Sequence, residues 1–198
     1  MVVMINLLIP AGYLIGAIPF GYLIAKIWNV DIRRSGSGNI GATNVFRSLG
    51  LFPGLMVFAL DLAKGTFAIY LAQQMTDLPW VIILTGLATI LGHMYSIFLK
   101  FKGGRGVSTS LGVLLGIAPD IFIGTLIFAA LVIFITRYVS VASMITPILV
   151  TVAFFTLKRP LPYTLTAGMV AILIIIRHAS NLKRLLEKTE PRVGEKDA

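Results

Sequence analysis

The sequence predicts an all-α integral membrane protein, a bundle of about seven transmembrane helices with the N-terminus outside and the C-terminus cytoplasmic. Three observations predict it. Hydrophobic residues make up 57% of the chain and charged ones 13%, with a mean hydropathy of +0.92, more apolar than a soluble domain can cover with polar surface. The apolar residues fall in runs close to the roughly 20 needed to cross hydrocarbon. The basic residues collect on one side of the resulting bundle, the signature of cytoplasmic loops.

The first run, 3–27, has no basic leader and no small-residue cleavage site, so it reads as a retained span rather than a signal peptide. The second, 51–75, carries Asp61 and Lys64 three positions apart on one helix face. An ion pair inside the span is the first reading for them and substrate contact the second. The third run is 79–99. The long stretch that follows divides at Gly116, Pro119 and Asp120, whose turn chemistry separates 107–118 from 120–136. Without that division the count falls to six and the termini share a side. Runs 141–157 and 161–177 complete the set, and the fourth and sixth are short for a full crossing. Every Lys and Arg other than Lys64, Lys158 and Arg159 then lies on the cytoplasmic side. Residues 1–198 form a single polytopic membrane domain, with a charged tail from about 187 to 198 expected to be mobile.

Composition also excludes. There are no cysteines, so disulfides and thiolate metal sites are ruled out. The two histidines, His93 and His178, are far apart with no carboxylate cluster beside either, so no metal site and no cofactor are expected. The net charge of +9 fits cytoplasmic loops against anionic lipid headgroups, so membrane lipids rather than nucleic acid are the expected partners. Oligomeric state is left open.

Three polar elements fall on the inner side. The first runs from Arg34 to Arg47, where glycines alternate with Ser37, Asn39, Thr43 and Asn44. Glycines let backbone N–H groups turn toward an anion, and a helix starting near Ala42 adds its positive end, so Ser37, Gly38, Asn39, Thr43, Asn44 and Arg47 are candidates to hold a phosphate. The second element places Gly103, Gly104, Arg105 and Gly106 before a helix start at Ser108 and Thr109. It has the physics of a phosphate cradle without the spacing or the Gly-Lys-Ser/Thr ending of a nucleotide P-loop, which disfavours nucleotide hydrolysis. Lys100 and Lys102 fit the role of membrane anchors. The third joins Ser143, in Ser140 to Ser143, with His178 and Asn181, three positions apart at the inner end of the last span. Irregular backbone near a membrane persists only where protein or water satisfies it, so these elements are expected to converge on one inward-facing site.

These elements, in this order, resemble the signature of the acyl-phosphate-dependent glycerol-3-phosphate acyltransferases, small integral membrane enzymes of bacterial phospholipid synthesis. The resemblance lies in Gly36-Ser-Gly-Asn-Ile-Gly-Ala-Thr-Asn44 with Arg47, in Gly92-His93 and Phe101-Lys-Gly-Gly-Arg-Gly-Val107, in Tyr138 to Ser143, and in Arg177-His178 with Asn181 and Arg184. It implies transfer of a fatty acyl group from acyl phosphate to the sn-1 hydroxyl of glycerol 3-phosphate at the cytoplasmic face of the inner membrane, giving lysophosphatidic acid and phosphate. It further implies that Ser37, Arg47, His178 and Asn181 are the catalytic set and that the glycines of the second loop bind glycerol phosphate. Three positions depart from the family pattern. Arg105 stands where lysine is common, replacing a point charge with a planar fork; Ser96 stands where proline is usual; and Lys188 replaces a glycine, so Glu190 carries over only weakly.

An acyl phosphate is a mixed anhydride with a good leaving group, so a covalent nucleophile is unnecessary. The protein must hold two anions together and neutralise charge on the departing phosphate. Direct transfer is therefore favoured, with an acyl-enzyme on Ser37 as the lesser alternative. His178 is the candidate base, although a substrate phosphate could take that proton itself. An anion permease and a scaffold for other lipid enzymes are the rival classes. No internal repeat supports the first, and the second leaves Arg47 and the loop glycines without a purpose.

Overall fold

A computed structural model describes residues 2–194, with side chains from residue 7 onward. Those residues form ten α-helices and no strand: α1 Val2–Ala17, α2 Phe20–Ile27, α3 Ala42–Leu49, α4 Leu51–Met75, α5 Pro79–Met94, α6 Val107–Ile117, α7 Pro119–Thr136, α8 Val139–Thr156, α9 Leu161–Arg177 and α10 Ala179–Leu186. The helices divide into two compact units, Met1–Ile117 and Ala118–Ala198.

In the first unit, helices meet at backbone distance. A Cβ on Gly16 of α1 would lie 1.9 Å from the Thr89 carbonyl oxygen of α5, and one on Gly112 of α6 would lie 1.9 Å from the Leu62 carbonyl oxygen of α4. In lipid, where apolar burial gives no advantage over the solvent, close small-residue packing is what holds helices together. The first apolar run, expected as one span, is one, Leu7–Ile27, but its helix is interrupted at Pro19, which lacks an N–H to continue the ladder. The carbonyls exposed at the break are satisfied from neighbouring helices: Ser96 Oγ donates to Ala17 O at 2.5 Å and Lys64 Nζ to Ile18 O at 3.0 Å. Proline at position 96, usual in the family that the sequence resembles, could not make the first of these bonds.

Helix α6 has 11 residues, about 16 Å at 1.5 Å per residue, half of a hydrocarbon core. Its neighbours explain the length. Its first turn sits against Gly65, partway along α4, and its end meets Ile69, with Gln73 Nε2 donating to Gly116 O at 3.2 Å. The second loop therefore descends into the unit, and α6 covers only the remaining distance.

In the second unit α8 packs against both α7 and α9. Arg159, between α8 and α9, pairs with Asp120 at the start of α7. The boundary read between the fourth and fifth runs falls at Ala118, between α6 and α7. Helix α9 bends by 56° into α10. Five segments are long and apolar enough to cross a membrane, and the bent pair makes a sixth; α6 is the seventh apolar helix.

The tail expected to be mobile from Glu187 is instead tied down as far as the described residues reach. Val193 N donates to Arg137 O at 2.8 Å, Arg137 Nη2 donates to Val193 O at 2.9 Å, and Arg192 Nε reaches the Tyr138 hydroxyl at 3.1 Å. Within it Glu190 and Arg192 have side-chain partners. Residues 195–198 lie outside the described part.

Candidate active site

The first loop is organised around one side chain. Asn44, on the first turn of α3, is 2% exposed. Its Oδ1 accepts from Ser37 N at 2.9 Å, and its Nδ2 donates to Asn39 O at 2.8 Å, Ser35 O at 3.0 Å and Ile32 O at 3.3 Å. Gly36 and Gly38 take positive φ so that the chain can fold over it, and a Cβ on Gly36 would stand 2.4 Å from Asn44 Oδ1. Expected as a substrate ligand, Asn44 is the peg of the loop, its amide occupied by backbone. The amides of Ser37 and Gly38 are likewise taken, the latter by Ser35 O at 3.0 Å, so they do not face a ligand. The side chains of Ser37, Asn39 and Thr43 remain at or near the surface, with Arg47 half-buried on the last turn of α3. Thr43 and Arg47, four apart, share a face.

Asn44→Ala should release this loop. Loss of a buried group pairing four backbone atoms is expected to cost about 2–3 kcal/mol, read as faster proteolytic cleavage between residues 33 and 41 and a lower unfolding midpoint in detergent. Unchanged cleavage would refute the peg role.

The second loop differs from an open cradle. Gly104 N donates to His93 O at 3.0 Å and Gly103 N to Met94 O at 3.1 Å, so in this structure these two amides pair with the end of α5. Neither position has room for a side chain: a Cβ on Gly103 would meet His93 O at 2.0 Å, and one on Gly104 would meet His93 Nε2 at 2.2 Å. Gly106, at φ +87°, turns the chain into α6. What the loop presents is Arg105, between a buried Gly104 and a buried Gly106.

Within the second unit, His178 and Asn181 flank the α9–α10 bend, both almost fully buried. His178 Nδ1 lies 2.8 Å from Ile174 O. A carbonyl only accepts, so the proton sits on Nδ1 and the lone pair on Nε2. Asn181 Nδ2 donates to Glu190 Oε1 at 2.7 Å, which fixes the amide and leaves Oδ1 buried without a partner among the described residues. Arg184 Nε donates to the other Glu190 oxygen at 2.7 Å. Ser143 Oγ donates to Val139 O at 2.8 Å within its own helix, keeping its lone pairs.

Sequence reasoning undervalued Glu190. Burial raises the Glu190 carboxyl, but hydrogen bonds from Asn181 and Arg184, with the Arg184 charge, outweigh it and hold the group below its ordinary value of 4.5. A carboxylate depressed on folding contributes stability that is fully present above its unfolded pKa and lost as pH falls through its folded one. Acidification from about pH 7 to about pH 3 should therefore lower the wild-type unfolding midpoint more steeply than that of Glu190→Gln. Parallel curves would exclude the Glu190 hydrogen bonds as the source.

The chain matches the family described as glycerol-3-phosphate acyltransferase over residues 6–188. A glycerol-3-phosphate acyltransferase of Thermus thermophilus is 46% identical over 185 residues, covering 93% of each chain. Glycerol-3-phosphate acyltransferase 2 of Moorella thermoacetica is 44% identical over 187 residues, covering 93% of this chain and 95% of that one. The crystal structure of an integral membrane glycerol 3-phosphate acyltransferase in its glycerol 3-phosphate form superposes with a TM-score of 0.93 at 41% identity over 96% of both chains. A lysophosphatidic acid form gives 0.91 at 40% identity with the same coverage.

Proposed function

This chain belongs to the glycerol-3-phosphate acyltransferase family and is a multi-pass integral membrane protein; from that premise we propose that its acyl donor is an acyl phosphate and that transfer to the sn-1 hydroxyl of glycerol 3-phosphate is direct. The observation that carries this reading is the pair at the α9–α10 bend. Asn181 Oδ1 is a buried acceptor without a donor among the described residues, and beside it in sequence His178 is oriented through Nδ1 by Ile174 O, which makes Nε2 the basic atom of the ring. A substrate hydroxyl has one proton to give: it can donate to Asn181 Oδ1 as it docks and turn that proton toward the basic nitrogen of His178 as it attacks the carbonyl.

In the reaction the hydroxyl oxygen bonds to the acyl carbon while the bond from that carbon to the phosphate oxygen breaks. The hydroxyl proton passes to His178 Nε2, and inorganic phosphate leaves with the bonding pair. Arg47 and Arg105 supply fixed positive charge for phosphate groups, with Ser37, Asn39, Thr43 and Ser143 as further polar contacts. Ser37 is exposed, and a serine nucleophile needs a base held beside it, whereas an acyl phosphate is already activated for direct attack. The basic residues favour a bacterial cytoplasmic membrane location, the active site facing the cytosol and seven crossings with the N-terminus outside. The pairing of Asp120 with Arg159 agrees, since it places the start of α7 beside the α8–α9 turn.

Purified protein incubated with acyl phosphate and labelled glycerol 3-phosphate should yield lysophosphatidic acid without another donor. Product from thioesters alone would overturn the donor assignment. A stable acylated serine isolated during turnover would overturn direct transfer, and anion flux without product would favour a permease.

A further inference from the structure

Asp61, Lys64 and His93 form a buried polar cluster that the steps above do not use. Lys64 Nζ has three neighbours: Asp61 Oδ1 at 2.7 Å, Ile18 O at 3.0 Å and His93 Nδ1 at 3.0 Å. The contact with Asp61 is an ion pair, and Asp61 Oδ1 also lies 3.4 Å from His93 Nδ1; an ammonium has only N–H donors, so toward Lys64 His93 Nδ1 is an acceptor, with the ring proton on Nε2. That Nε2 is aimed at the second loop. It lies 2.2 Å from where a Gly104 Cβ would be, with ring atoms Cε1 and Cδ2 next at 3.0 and 3.1 Å. The imidazole tip occupies the place of the side chain that Gly104 lacks, and the backbone of the same residue holds the loop through its carbonyl.

We propose that His93 is a positioning residue for phosphate binding. The Asp61–Lys64 pair fixes its ring, and the Nε2–H end of that ring sets the height and tilt of the Gly103–Gly106 turn and so the placement of Arg105. The inference rests on the reading of that loop as a phosphate holder. It requires no contact between His93 and substrate.

His93→Asn keeps a polar atom near the Nδ1 position for Lys64 and removes the ring tip, whereas His93→Gln extends an amide toward the Nε2 position. The full chain in detergent is titrated calorimetrically with glycerol 3-phosphate and with inorganic phosphate, and acyl transfer is measured in parallel. His93→Asn is expected to weaken binding by about tenfold and to raise the glycerol 3-phosphate KM alike, with kcat within about threefold, and His93→Gln to recover most of the loss. A purely structural role would lower the folded fraction while leaving Kd and KM unmoved, and that result overturns the inference. Should His93→Asn fail to fold, Gly104→Ala presses on Nε2 from the loop side. Weakened binding in that variant supports the proposal and unchanged binding refutes it. Weakened phosphate binding in a protein that transfers no acyl group would sink the acyl-transfer reading and leave this inference standing; normal transfer with unmoved constants would do the reverse.

Discussion

Arg47→Ala is expected to lower kcat by about 10²–10³ while leaving the protein folded in detergent. The guanidinium sits half-buried on the last turn of α3, one turn beyond Thr43. The peg that holds the loop together is Asn44, not Arg47. At the end of an eight-residue helix the arginine's interaction with the helix dipole is worth about 0.3–1 kcal/mol. Catalysis loses more, because a fixed cation near a departing phosphate acts where charge grows and needs no reorganisation. Arg47→Lys keeps the charge and loses the planar fork, so intermediate turnover should result. Steady-state kinetics with both phosphorylated substrates, beside thermal unfolding, checks this. Wild-type turnover in the alanine variant would remove Arg47 from the mechanism.

The largest stability effect should come from Asp61→Ala. Both members of the Asp61–Lys64 pair are nearly inaccessible, and the substitution strands an ammonium inside the bundle with only neutral neighbours, Ile18 O and His93. Breaking a buried pair on one side costs about 3–5 kcal/mol, whereas replacing both partners with apolar groups is often close to neutral. The double substitution Asp61→Ala with Lys64→Met should therefore unfold at a higher temperature than the single one. An equal or lower midpoint would show that Lys64 matters mainly as the cap on Ile18, at the break between α1 and α2.

The helices were legible because hydrocarbon demands long uninterrupted apolar stretches, and the start of α3 at Ala42 was marked by the glycines before it. What escaped was tertiary. In a loop rich in Gly and Ser, an asparagine whose amide faces substrate looks the same as Asn44, whose amide faces backbone; only the folded chain separates them. The N–H groups of Gly103 and Gly104 read as exposed because glycine is compatible with anion binding, yet here its small size admits the end of α5. The break at Pro19 was hidden in a continuous apolar run, since membrane helices tolerate proline when neighbours supply the missing partners. His93 stood in plain sight beside Gly92, but its link to Lys64 spans 29 positions. No periodicity reports such a distance.

The shortness of α6 bears on how two unlike reactants meet. Because the glycine turn before it is sunk partway along α4, a phosphate group held there would rest below the headgroup plane, level with the ester region of the surrounding leaflet. A fatty tail could then stay among its fellow chains throughout, with only its polar end drawn inward, while the small triol derivative would enter from the aqueous side. Such an arrangement spares the enzyme the extraction of a greasy molecule into water, and it delivers the single-chain product already lying in the monolayer it is meant to enlarge.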